Sequence, residues 1–167
     1  MHDSRIQREL NMETILYYFA FEHHGSHSAF NHLADYLSDK IRLDTTMRLP
    51  EWIPDRLKWR ILPYWRRFSE WRLRPYYHSR RQYIVHYLYP ENSLYAGWKW
   101  KGHHKLVLTC HQPASKLTQM KENEARHSGF FRGLEVADAV VVLSRTQISL
   151  YQQLAPQARV LFIPYAA

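Results

Sequence analysis

The sequence predicts an α/β fold, a mostly parallel sheet with helices on both faces, and three observations lead there. Runs rich in aliphatic, β-branched and aromatic residues recur at 14–21 (TILYYFAF), 83–89 (YIVHYLY), 106–110 (LVLTC), 139–143 (AVVVL) and 159–163 (RVLFI). Stretches of helical composition separate most of them, the order that parallel strands with right-handed crossovers require. Several of the runs are continuously apolar, as strands covered on both faces are.

Residues 1–12 are a polar lead, residues 13–167 have the size of one domain, and the 46% hydrophobic content of the whole chain is enough for its core. The lead lacks the apolar core of an export signal, and no run approaches the ~18–20 apolar residues of a membrane span, so a cytoplasmic protein is expected. The first strand, 14–21, ends in the loop 22–27 (EHHGSH), which contains Gly25, the only glycine of the first 96 residues. Ser28 then stands as an N-cap, and Ala29, Phe30, Leu33, Ala34 and Leu37 recur at helical spacing through 28–40. A weaker second strand follows at 41–46.

Four prolines, Pro50, Pro54, Pro63 and Pro75, punctuate the next segment, which is dense in Trp, Tyr and Arg. Leu57, Ile61, Leu62, Trp65 and Phe68 fall on one helical face there, with Arg56, Arg60 and Arg67 largely elsewhere, and Pro63 is expected to kink or divide the helix. The charge of the chain is concentrated in this segment. Between Arg56 and Arg81 nine basic residues face one acid, Glu70, so the segment alone accounts for the formal +8 and the remainder is neutral. Residues 50–82 therefore read as a basic, aromatic, helical insert.

Beyond the strand 83–89, which Pro90, Glu91 and Asn92 close, a loop at 93–104 leads into KLVLTCHQP at 105–113. This stretch reads as a buried strand that delivers His111 to the sheet edge, where open α/β sheets bind their ligands. Residues 115–136 are helical in composition, with a break expected at Ser128 and Gly129. After the strand 139–143, Ser144 and Gln147 have the spacing of a capping box, which starts a helix over 145–154. Pro156 ends that helix, and 159–163 gives the last strand before Pro164. Cys110, the one cysteine, ends an apolar run and reads as a buried, inert thiol.

These motifs resemble, in their order and spacing, the N-terminal domain of GT-B glycosyltransferases of the family-4 type. The first strand with its Gly25 loop, the KLVLTCHQP strand, ADAVVVLS at 137–144 and VLFIP at 160–164 carry the resemblance, which covers the chain from about residue 13 with 50–82 as a divergent insert. It implies a Rossmann-like three-layer domain, the single acceptor-binding half of a GT-B fold. The implied activity is sugar transfer from a nucleotide sugar to a hydroxyl acceptor with retention, as in hexosyltransferases. A C-terminal donor domain is expected to be absent from these residues, leaving a truncated or split enzyme that is inactive alone unless a separately encoded donor domain joins it. No cofactor is implied; the nucleotide sugar is a co-substrate that the missing domain mainly binds.

Site residues follow from the same resemblance. His111 would sit at the reaction centre as the catalytic contact to donor sugar or acceptor, or else only cap backbone groups at a strand end. Gly25 with Ser26 would form the donor-phosphate loop, or a plain strand-to-helix turn. His24, His27, Gln112 and Ser144 are candidate acceptor contacts, although capping alone accounts for Ser144. The histidines 23, 24, 27, 103, 104 and 111 lack the spacing of a zinc site, and no metal is expected. Asp138 reads as a residue that ends a helix or begins a strand, and Glu122 and Glu124 read as solvated.

The insert leaves three readings open. Its arginines and aromatics, with Arg66, Arg67, Trp71, Arg72 and Arg74 foremost, suit contact with an anionic membrane surface or the acceptor, which would make the protein peripheral to a membrane. They also suit single-stranded nucleic acid, which is not the expected partner. The third reading is a structural helix whose aromatics pack on the sheet. The competing function is accordingly a non-catalytic Rossmann-like module that binds a membrane or a partner through the insert. A nucleotide-binding enzyme of another α/β type is disfavoured because G-x-G-x-x-G and G-x-x-x-x-G-K-[ST] are both missing.

Overall fold

The computed structural model describes residues 13–18, 42–45, 52–88, 90–92 and 101–164. Six strands form one sheet: β1 (Glu13–Tyr18), β2 (Arg42–Thr45), β3 (Tyr83–Tyr87), β4 (Lys105–Cys110), β5 (Ala139–Val142) and β6 (Arg159–Phe162). Their order is β2-β1-β3-β4-β5-β6, and every neighbouring pair is parallel. Each expected strand overlaps one of these six, and residues 19–21, 41, 46 and 89 of the expected ranges lie outside the described residues. The helix expected over 28–40 lies outside the described residues.

The helices are α1 (Asp55–Trp71), the single turn α2 (Arg74–Tyr77), α3 (Ala114–Glu122), α4 (Glu124–Val136) and α5 (Ile148–Leu154). Connections from β2 to β3 and onward to β6 all advance across the sheet in one direction. Right-handed crossovers must then place α1 to α5 on one face. The packing agrees. Paired residues Ile15, Val85 and Leu106, then Tyr87, Leu108 and Val140, and Cys110 with Val142 point to one face and share a core with Leu73 and Tyr77, Leu117 and Met120, Phe130 and Leu134, and Tyr151 and Ala155. The opposite face presents the alternate residues, among them His86, whose Nε2 pairs with Thr109 Oγ1 at 2.7 Å. Burial holds that imidazole neutral, lowering its pKa to about 4.

Two local expectations need correction. Pro63 does not divide its helix: α1 runs unbroken across it, with the proline exposed, and the chain turns at Arg72 and Leu73 before Pro75 opens α2. The break in the 115–136 region falls at Asn123, not at Ser128 and Gly129, because Gly129 is buried inside α4 against the core. Of the three readings left open for the insert, the structural one is met only in part, since Leu57 and Phe68 are 39% and 48% exposed.

The start of β4 is fixed by polar groups. His104 is buried; its Nδ1 accepts the Tyr83 amide at 3.2 Å, so the proton on Nε2 is donated to the Tyr77 carbonyl, also at 3.2 Å. One neutral ring thereby ties α2, β3 and β4 together. Asp138 stands at the same sheet end, accepting the Leu106 amide at 2.9 Å and pairing with Lys101 at 2.7 Å and Lys105 at 3.1 Å. Burial alone would raise its carboxyl, but Lys101, the Leu106 amide and Lys105 together outweigh it and hold the pKa below the usual value. The placement matches the expected strand-start role.

Candidate functional site at the C-terminal sheet edge

The chain leaves β1 toward β2 and leaves β3 the other way, toward β4, so the strand order reverses between β1 and β3. Parallel sheets bind ligands beyond the strand C-termini at such a reversal. On the β3 side that edge is built from Leu88, the 3-10 turn Pro90–Asn92, His111 and Gln112 after β4, and the 3-10 turn Arg145–Gln147 after β5.

Glu91 is the hub of this edge. Its Oε1 accepts the backbone amides of His111 at 2.6 Å and Gln112 at 3.1 Å, bridging the ends of β3 and β4. The other oxygen, Oε2, is buried and has no hydrogen-bond partner among the described residues. Burial favours the protonated acid, whereas the amides of Glu91, His111 and Gln112 favour the carboxylate. Burial is the larger effect and pushes the pKa up to about 7. The carboxyl lies near the Cys110 thiol and the Tyr151 hydroxyl, which both titrate above their usual range, burial being the main cause and the negative field of Glu91 a further one. The Tyr151 hydroxyl is beside the thiol but, like Oε2, lacks a well-formed hydrogen bond. Cys110 is fully buried, as its position in an apolar run implies.

His111 is held from both ends. Its amide is on Glu91, and its Nε2–H donates to the Leu88 carbonyl at 2.6 Å. Burial lowers its pKa, with the Leu88 contact opposing, so the ring is neutral at pH 7 and its acceptor nitrogen is Nδ1. Gln112 is clamped likewise: its amide is on Glu91 and its carbonyl accepts from Gln147 Nε2 at 2.9 Å. Gln147 Oε1 accepts the Ser144 amide at 3.0 Å, completing the expected capping box. A chain of hydrogen bonds thus runs from β3 through β4 to β5 along the edge. Ser144 Oγ is engaged within its cap, 2.8 Å from Thr146 Oγ1 and accepting the Thr146 amide.

His111, Gln112 and Ser144 therefore meet at one edge, while Gly25, Ser26, His24 and His27 lie outside the described residues. Arg67, Trp71, Arg72 and Arg74 are exposed on α1 and the turn after it; the Arg66 side chain is not among those described. Trp71, Arg72 and Arg74, with Pro75 and His78, line an open hollow of about 480 Å³ to which His111 does not contribute. Among the described residues no group of three or more His, Cys, Asp or Glu is placed to hold a metal ion. His104 and His111 stand at opposite ends of β4, about 20 Å apart at strand spacing. No described helix is long and apolar enough to cross a membrane.

Glu91 and Gln147, which organise the edge, were not singled out as site residues. An acid placed straight after a strand of a parallel sheet is the available signal for Glu91. Gln147 was legible only as the far end of a capping box. Fold and edge together define a class, an α/β protein with a parallel sheet and a polar, histidine-bearing C-terminal edge. No family model matches the chain, and no curated protein matches it in sequence.

Proposed function

We propose that the chain is the acceptor-binding half of a retaining, GT-B-type glycosyltransferase, with His111 as the side chain that meets the sugar at the reaction centre. The supporting observation is the state of His111: a neutral imidazole, fixed by Leu88 and Glu91 at the C-terminal end of β4, one strand beyond the reversal between β1 and β3, with Nδ1 as its acceptor. Such a group receives a hydrogen bond from a sugar hydroxyl without adding charge near a developing oxocarbenium ion. In a retaining transfer on one sugar face, orientation and electrostatics do more than a strong protein base. Gln112, next to it on the same clamped backbone, is the acceptor-side neighbour. This reading assigns the nucleotide sugar mainly to a donor domain outside these residues, and assigns the 22–27 loop to the donor phosphates.

The test is binding of the labelled chain to an array of glycans and lipid-linked saccharides. The reading expects at least one saccharide to be retained and His111→Ala to weaken it by on the order of tenfold or more, the scale of one lost hydrogen bond to a buried group. His111→Ala also removes the hydrogen bond to the Leu88 carbonyl, so the thermal midpoint should fall by several degrees, and binding is compared at a temperature where both chains are folded. Equal binding by His111→Ala, or no saccharide retained at all, removes the assignment.

A further inference from the structure

The outward face of α1 has no role in the transferase reading, and its chemistry is specific. Leu57, Tyr64, Phe68 and Trp71 are spaced seven, four and three residues apart, so they form a single stripe along the helix. All four are exposed, by 39, 77, 48 and 45% respectively, and Trp52, 81% exposed, stands just before the helix. At 17 residues the helix is about 25 Å long. An apolar strip of that length is not needed by the core, which draws on Leu73 and Tyr77 from this region.

The charges beside the stripe are of one sign. Arg56, Arg60 and Arg67 are exposed on the flank next to it, and Arg72 and Arg74 are exposed beyond its end. Glu70, the only acid between Arg56 and Arg81, is fully buried, whereas Arg56, Arg60 and Arg67 are exposed. Asp55, at the far end of the helix, pairs with Lys58 at 2.7 Å. The positive field of a chain that is otherwise neutral thus emerges around one exposed apolar strip.

We propose that α1 and the turn after it are a docking surface for an anionic lipid bilayer. The stripe enters the boundary between headgroups and acyl chains, and Arg56, Arg60, Arg67, Arg72 and Arg74 meet lipid phosphates. An amphipathic helix lying in the interface plane has this arrangement, with aromatic and aliphatic residues below and cations beside them. Single-stranded nucleic acid fits the strip less well. Phe68 and Trp71 already stack on each other, with ring centroids 6.1 Å apart and planes 17° apart, and Leu57 offers a base no ring to stack on. The hollow between Trp71, Arg72, Arg74, Pro75 and His78 is lined almost wholly by apolar surface and continues the stripe past the end of α1. The inference stands apart from the transferase reading, because it uses none of the residues at the sheet edge.

The test is sedimentation of the full chain with vesicles of equal parts phosphatidylglycerol and phosphatidylcholine, and with phosphatidylcholine alone. The chain should pellet with the anionic vesicles, weaken as salt is raised, and stay in solution with the neutral ones. Combining Arg60→Glu, Arg67→Glu and Arg72→Glu should reduce partitioning about fivefold or more per arginine at low salt. Combining Tyr64→Ser, Phe68→Ser and Trp71→Ser should reduce it at every salt concentration. Circular dichroism reports whether each variant is folded, and Tyr64→Ser alone, at the most exposed ring of the stripe, serves if the triple variant is not. No pelleting by the folded chain, pelleting indifferent to both sets of changes, or retention by single-stranded RNA in place of anionic vesicles overturns the proposal.

Discussion

Glu91 shows how one side chain sets both the shape and the pH response of the edge. Its carboxyl titrates near 7 in the fold against an ordinary value of 4.5. The protonated form is therefore favoured by folding, and its contribution is complete below pH 4.5 and lost as pH rises through about 7. His86 acts in the opposite sense over nearly the same window. With its pKa lowered to about 4, its contribution is present above pH 6.5 and lost as pH falls toward 4. The two slopes mask each other in the unmutated chain, but Glu91→Gln removes one of them. Gln keeps an oxygen for the His111 and Gln112 amides, so this variant should match the parent near pH 4.5 and gain on it up to about pH 8. The gain should be about 3 kcal/mol at most. Denaturant titrations across that range check it, and a difference that does not change with pH would show that Glu91 titrates normally.

Elements differed in how plainly their residues announced them. The run ending in Cys110 and His111 was legible because a continuous apolar stretch closed by a proline leaves few alternatives, and β5 and β6 were legible for the same reason. The capping box was equally clear, since Ser144 and Gln147 satisfy the requirement by spacing alone. α1 was legible as a helix, but its orientation was not. Periodicity identifies an apolar face without saying what covers it, and Leu57 and Phe68 turned out to face outward. Pro63 left a kink and a division both open for a related reason: it removes one amide donor and clashes with the preceding turn, yet the helix continues through it undivided. That continuity leaves a cost in place. Pro63→Ala should stabilise the fold by about 1–3 kcal/mol and raise the thermal midpoint by several degrees, because the position is exposed and off the apolar stripe. An unchanged or lower midpoint would mean that the proline shapes α1 in a way its surroundings require.

At the scale of the whole molecule, strand order divides the tasks. A parallel sheet of order β2-β1-β3-β4-β5-β6 puts α1 to α5 on one face and gathers Leu88, Glu91, His111, Gln112 and Gln147 at one edge, while His104 and Asp138 lock the other. The alternation of strands and helices made the parallel sheet foreseeable. The hydrogen-bond chain along the edge was not, because Glu91 and His111 are twenty residues apart and meet only once β3 and β4 pair.

The central claim is that this C-terminal edge is where a sugar binds. Backbone amide chemical-shift mapping of the isotope-labelled chain, titrated with a panel of hexose disaccharides, tests it most directly. The account predicts shifts concentrated at Leu88, Glu91, His111, Gln112 and Ser144. Shifts confined to the opposite edge, around Lys101, Lys105 and Asp138, or no shifts from any disaccharide, would contradict it.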